Sequence, residues 1–94
     1  MLLRIPDRPA HFDRRVVERA VRLHLARFAP IIDRVGLSFQ EPDGRHRSEA
    51  CRLRVRLRDG ARLESVGEGE SWREAAAAAA SRLRRHIERR NGWA

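Results

Sequence analysis

The chain has 94 residues and a formal net charge of +8, and all 21 of its basic side chains are arginine. This length suits one domain, which we assign to residues 1–94, with a small, mostly aliphatic core. The single cysteine, Cys51, excludes an internal disulfide. The sequence has no signal-peptide pattern, and no apolar run approaches the ~20 residues of a membrane span. We therefore expect a cytoplasmic protein with no membrane partner.

The first half of the chain predicts a strand, a helix and a second strand. The short apolar segment Leu2–Ile5 is typical of an edge strand. A helix is expected from about Asp13, a good N-cap residue, to Phe28, because apolar residues recur there at helical spacing. Residues 35–40 alternate apolar and polar side chains, which predicts a strand with one buried face.

The clearest strand of the chain runs from Cys51 to Leu57, where apolar residues alternate with arginines. A two-residue turn after it would place Arg62 in the core. A three-residue loop, Arg58 to Gly60 with the glycine in the left-handed conformation, keeps every inward position small or apolar. We therefore expect this loop, which pairs Val55 with Leu63, Leu53 with Ser65 and Arg54 with Glu64.

The last predicted element is a helix over residues 71–91. Ser71 and Glu74 match a capping box, and the alanines of Ala75–Ala80 favour helix strongly. Gly92 is expected to cap the helix in a left-handed conformation, with Trp93 folding back on the helix.

These elements follow the order β-α-β-β-β-α, and each helix has one apolar stripe. We therefore predict an α+β fold, a four-stranded mixed sheet with two helices packed on one face. The first strand is expected to run parallel to the second, because a helix joins them. The residues expected to be mostly buried are Val17, Val21, Leu25, Phe28, Leu37, Phe39, Leu53, Val55, Leu57, Leu63, Ala79 and Leu83.

No group of residues in this sequence predicts catalysis or metal binding. The histidines lack metal-ligand spacing to Cys, Asp or Glu. Cys51 falls on the inward side of its strand, where a small buried residue is expected. No nucleophile has a base at a familiar spacing. We therefore expect no enzyme activity, no metal, no cofactor and no small-molecule substrate.

Arginines form a basic face on the last helix. Arg82, Arg85 and Arg89 recur at steps of three and four, so they share one exposed side, and Arg84 and Arg90 flank it. One or two cations at a helix C-terminus complement the macrodipole. Five in nine residues favour a surface that binds a polyanion such as RNA.

A second basic row follows the Cys51–Leu57 strand. It consists of Arg52, Arg54, Arg56 and Arg58, joined by Arg62 on the next strand. Arg54 and Arg56 are candidate RNA contacts, as is Arg22 on the first helix. Glu64 is expected to neutralise Arg54 alone. The strand row has two equal interpretations: it contacts RNA, or its charge keeps an exposed sheet soluble and unpaired.

The chain resembles the short ribosome hibernation-promoting factors, also called ribosome-associated inhibitors or sigma-54 modulation proteins. The resemblance lies in the element order, in Ile31–Val35 before the second strand, in Asp59–Gly60, and in the basic stretch Arg82–Arg90. Two segments differ from the family pattern. Residues 6–12 lack the polar, threonine-capped start of the first helix, and the alanine run predicts a helix closer to the sheet.

The resemblance implies a function as well as a fold. Family members bind the small ribosomal subunit, through its 16S rRNA, in the channel of mRNA and tRNA, and block translation in resting or stressed cells. Two alternatives remain open from the residues. One is a general double-stranded RNA-binding module. The other is a protein-interaction module that modulates a transcription factor.

Overall fold

The computed structural model describes residues 2–5, 12–40 and 49–91. Its elements are β1 (Leu2–Arg4), α1 (Arg14–Leu25), a 3-10 helix (Ala26–Ile31), β2 (Ile32–Gln40), β3 (Glu49–Leu57), β4 (Arg62–Gly69) and α2 (Trp72–Arg90). The predicted order and the α+β class are confirmed. The predictions for the segment before the first helix and for the cap at Gly92 and Trp93 concern mainly positions outside the described residues.

The four strands form one mixed sheet in the order β1-β2-β3-β4. β1 pairs with β2 in parallel, and the other neighbours are antiparallel. The parallel pair is the expected consequence of a helix crossing between the two strands. α1 and α2 contact each other, and α2 packs across β3 and β4, so both helices cover the same face. We call this the inner face and the opposite one the outer face.

α1 begins at Asp13, whose carboxylate oxygen accepts the backbone N–H groups of Arg15 at 3.0 Å and Val16 at 3.4 Å. These bonds satisfy donors that a helix start leaves unpaired. The apolar stripe then faces the sheet and α2. Its buried members are Val17, Ala20, Val21 and Leu25.

The α-helix ends at Leu25, three residues before the predicted end, and a 3-10 helix follows over Ala26–Ile31. Pro30 lies inside this segment. Its ring disfavours α conformation at the preceding residue and removes a backbone donor, so the last turns tighten. Phe28 remains fully buried, as predicted.

The β3–β4 connection is the predicted three-residue loop. Gly60 has a φ of +93°. Its N–H donates to the Leu57 carbonyl at 2.9 Å, and the Leu57 N–H donates to the Ala61 carbonyl at 2.8 Å. The observed pairs are those expected from the alternation: Val55 with Leu63, Leu53 with Ser65, and Arg54 with Glu64.

α2 begins with a variant of the predicted capping box. The Ser71 hydroxyl accepts the Glu74 N–H at 3.1 Å, and the Glu74 carboxylate accepts the N–H of Glu70 at 2.9 Å. The return bond comes from the residue before the cap rather than from the cap itself. Both bonds still satisfy backbone donors at the helix start.

α2 lies unusually close to β4. A Cβ on Gly67 would overlap backbone atoms of Ala75 and Ala79, and one on Gly69 would collide with the same turn. The Ser65 hydroxyl donates to the Ala79 carbonyl at 2.6 Å. Small residues on both elements permit this approach, which agrees with the expectation drawn from the alanine run.

The core joins both helices to the inner face of the sheet. Phe39 and Leu63, two of the residues expected to be mostly buried, have intermediate burial and pack against the core. Phe39 lies near the end of β2, with its ring centroid 5.2 Å from that of Trp72. Leu63 lies on β4, an edge strand whose one neighbour among the described strands is β3. The other predicted core residues are buried.

Candidate nucleic-acid interface

On one side of its C-terminal half, α2 presents three exposed arginines, Arg82, Arg85 and Arg89. They line a shallow depression of about 440 Å³, with residues 64–66 of β4 as its other wall. Their helical spacing places them on one side, as the sequence predicts. We call these three arginines the α2 surface.

Arg82 is held in place at the sheet edge. Its Nη1 donates to the Val66 carbonyl at 2.6 Å. Val66 belongs to β4, which pairs with β3 alone among the described strands, so the guanidinium satisfies a carbonyl on the free edge of that sheet. A guanidinium has five N–H donors. Arg82 therefore keeps donors for a phosphate while one anchors it.

Arg84 lies in the seam between the helices, away from the α2 surface. Its Nε is 3.8 Å from a carboxylate oxygen of Glu88, which also lies 3.5 Å from Arg27 of the segment after α1. His24 of α1 faces the same seam. Burial, and then the charge of Arg84, lowers the pKa of His24 below its ordinary value. Arg84 thus acts between the helices.

Arg90 is also engaged within the protein. Its Nη2 donates to the Asp59 carboxylate at 2.6 Å, so the end of α2 is tied to the β3–β4 loop. The Ala61 N–H donates to the other Asp59 oxygen at 2.9 Å. Both bonds lower the pKa of the Asp59 carboxyl, and the bond from Ala61 has the larger effect. The two arginines predicted to flank the α2 surface thus have internal carboxylate partners.

Arg22 is exposed on α1 and lines a different depression, together with Arg15, Arg19 and Leu23. The side of α1 that faces α2 carries His24 instead. The structure therefore does not bring Arg22 together with the α2 surface.

The arginines of β3 project from the outer face and are exposed. The Nε atoms of Arg52 and Arg54 lie 3.2 and 3.1 Å from the two oxygens of Glu64. The expectation that Glu64 pairs with Arg54 alone is wrong, because its carboxylate reaches both neighbours on the same face. Arg56 is 3.9 Å from the Asp33 carboxylate. Such exposed pairs contribute about 0–1 kcal/mol each.

Three further arginines on this face line a depression of about 540 Å³ with Arg54 and Arg56. Arg62 of β4 was placed beside the β3 row from the sequence, whereas Arg4 of β1 and Arg34 of β2 were not identified. We call these five arginines the sheet surface. In the sequence, each of these arginines occupies an outward position of its strand, as the β3 arginines do. The pairing of the strands was needed to show that they form one surface.

The candidate groups for chemistry are scattered. Cys51 is fully buried, and burial raises the pKa of its thiol to about 12, so it stays protonated at neutral pH. Within residues 2–5, 12–40 and 49–91, no three side chains of the metal-binding types come together. In the same ranges, no helix is long and apolar enough to cross a membrane.

Comparison with known proteins finds a similar structure but no similar sequence. No protein-family model and no curated protein matches the chain. A solved structure described as a ribosomal subunit interface protein from Coxiella burnetii matches it with a TM-score of 0.75. The match covers 98% of this chain and 99% of that one, at 12% identity.

The chain has the fold of a ribosomal subunit interface protein. The resemblance to the hibernation factors is confirmed at the level of the fold. The poly-alanine helix and the glycines of β4 are accommodated within that fold by close packing.

Proposed function

We propose that this chain is a cytoplasmic ribosome-binding protein that inhibits translation. It binds the small subunit through 16S rRNA and occupies the channel of mRNA and tRNA. The observation that carries the proposal is the likeness, over 98% of the chain, to a protein described as a ribosomal subunit interface protein.

The α2 surface is the proposed rRNA contact. Arg82, Arg85 and Arg89 are exposed, lie side by side and have no carboxylate within ion-pair distance among the described residues. An arginine fork can hold a phosphate with two parallel hydrogen bonds. Each such contact releases counterions from the RNA, which gives affinity that depends on salt.

Inhibition in this proposal is steric. The domain excludes mRNA and tRNA from the space it occupies, and it needs no catalytic group, cofactor or small-molecule substrate. The burial of Cys51 as a protonated thiol is consistent with such a role.

The test is sedimentation of the full chain with ribosomes in a sucrose gradient. Replacing Arg82, Arg85 and Arg89 with Ala should leave the fold intact, because exposed substitutions change stability by about 0.5 kcal/mol or less each. Ribosome association should fall steeply. The slope of log affinity against log salt should flatten by about two, from roughly 0.7–0.9 per lost contact.

A matched control removes three exposed arginines outside both arginine surfaces, Arg14, Arg58 and Arg73. This control should bind ribosomes nearly as the unchanged chain does. If the α2 variant also binds normally, the α2 surface is not the rRNA contact. Equal affinity for any A-form duplex would favour a general double-stranded RNA binder, and binding that survives nuclease and high salt would favour a protein partner.

A further inference from the structure

Gly36 is a glycine in mid-strand that the fold itself does not require. The close approach of α2 explains Gly67 and Gly69, and the left-handed turn explains Gly60. At Gly36, by contrast, no atom of the described residues beyond the adjoining chain lies within 4 Å of where a Cβ would be, and φ is not left-handed. Glycine weakens a strand interior and often marks a close approach by a ligand or by other backbone. The irregularity in the pairing of β2 with β3 lies between Ile32 and Arg34, away from Gly36, and no described backbone approaches Gly36. The opening is therefore free to receive a ligand.

Arginines surround this gap. In the strand register, Arg4 of β1 and Arg54 of β3 are the cross-strand neighbours of Gly36. Neighbouring strands are about 4.8 Å apart, so the two arginines flank an opening roughly 10 Å wide between their backbones. Gly36 forms the floor of the 540 Å³ depression that the sheet surface lines. The result is a dent with positive charge on both sides.

The next row of the sheet is also basic. Arg34, Arg56 and Arg62 are directly aligned across β2, β3 and β4. Like charges placed directly opposite each other on a sheet destabilise it. If the charges on this face served only for solubility, alternating positive and negative side chains would be equally effective.

The carboxylates nearby do not balance this charge. Five arginines and one carboxylate, Glu64, line the depression, which leaves a formal charge of +4. Asp33 reaches Arg34 and Arg56 only at 3.9 Å, in exposed pairs. Among the described residues the charge is therefore unbalanced, which favours an anionic partner.

We propose that the sheet surface binds an extended single-stranded segment of RNA, with one nucleotide turned into the dent above Gly36. A rigid duplex presents a convex surface too broad for this opening, whereas a single strand can turn a phosphate or a base into it. Arginine suits both, because its planar guanidinium pairs with phosphate and stacks on bases. The inference rests on the proposed function for RNA as the partner, and it gives the domain a second RNA contact, across the sheet from α2.

The decisive variant is Gly36→Val, which fills the dent and leaves every charge in place. The fold should tolerate it, because the site is open and valine favours strands. Binding of a short labelled oligouridine, measured by fluorescence anisotropy, should weaken roughly tenfold. Ser38→Val adds the same side chain to the same face of β2, beside Arg52 rather than in the dent, and should leave affinity nearly unchanged.

A charge variant tests the same surface. Replacing Arg34, Arg56 and Arg62 with Ala should flatten the salt dependence of oligouridine binding by about two, at roughly 0.7 per contact for single strands. A thermal melt of each variant separates loss of binding from loss of fold.

Several outcomes would overturn the inference. One is oligouridine binding by Gly36→Val that equals that of the unchanged chain. Others are equal binding of a matched duplex, or displacement by polyglutamate as effective as by unlabelled RNA. If the Arg82, Arg85 and Arg89 variant alone loses oligouridine binding, the sheet surface fails and the proposed function stands. Sensitivity to Gly36→Val without any ribosome association would instead overturn the proposed function and leave the sheet surface.

Discussion

Gly67 on the inner face of the sheet and Gly36 on the outer face are the same residue in similar strands, with opposite surroundings. A Cβ on Gly67 would overlap the backbone of α2, whereas one on Gly36 would meet nothing. On the inner face, the size of a side chain decides which residues fit, since each added or removed atom changes contacts with a helix. On the outer face, the charge of a side chain matters more than its size, since the arginines there face solvent.

This contrast shows that the structural role of a glycine depends on its position in the fold. The glycine of β4 permits helix packing, and the glycine of β2 leaves an opening among arginines. Substitutions on the inner face should therefore change stability, and those on the outer face should change binding.

The largest effect is expected at Leu53, which is fully buried on the inner face of β3. Leu53→Ala should lower the free energy of unfolding by roughly 2–5 kcal/mol, because it removes methyl groups and leaves a cavity. Its neighbour Arg54 projects from the outer face, and Arg54→Ala should change stability by about 0.5 kcal/mol or less. Urea melts of both variants measure the difference, and equal losses would break the contrast between the faces.

The next effect is expected at the two glycines. Gly67→Ala should destabilise the fold by roughly 1–3 kcal/mol or more, because a methyl group there overlaps the α2 backbone. Gly36→Ala should stabilise it by about 0.5 kcal/mol, since the site is open and alanine loses less backbone entropy. Thermal melts of the pair give the sign directly. A loss of stability in Gly36→Ala would show that the outer face is also limited by packing.

The smallest effect is a pH dependence confined to the helix side. The pKa of His24 is lowered from 6.5, by burial first and by Arg84 second. The unfolded chain therefore binds a proton more readily, so stability should fall as pH drops through 6.5 toward the folded-state pKa. His24→Gln should remove this slope in urea melts taken across the window. A slope that persists in His24→Gln would assign the pH dependence to another group.

Much of the fold could be predicted because the relevant signals are local. The alternation from Cys51 to Leu57 placed its arginines on one face, and loop parity at Gly60 identified the register of β3 with β4. Asp13 and Ser71 marked the helix starts. The end of α1 was placed too late, because Pro30 converts the last turns to a 3-10 helix rather than simply ending the α-helix.

The candidate surfaces were harder to predict, because charge pairing depends on contacts between distant segments. Helical spacing places Arg84 and Arg90 beside the α2 surface, yet the structure engages both within the protein. The Arg84–Glu88 pair is local, at i and i+4, but Glu88 also pairs with Arg27, and Arg90 reaches Asp59 across 31 residues of chain. Helical spacing does not tell which other segment each side of α2 meets.

The sequence by itself determined the element order, the inward and outward sides of each strand and the register of the β3–β4 hairpin. These depend on side-chain period and turn geometry, which act over a few residues. The tertiary structure alone decided that Arg4 and Arg34 share a surface with the arginines of the β3–β4 hairpin, because they become neighbours of Arg54 and Arg56 only when β1 and β2 pair with that hairpin. It also decided which glycines a helix covers, since that depends on how closely α2 approaches β4.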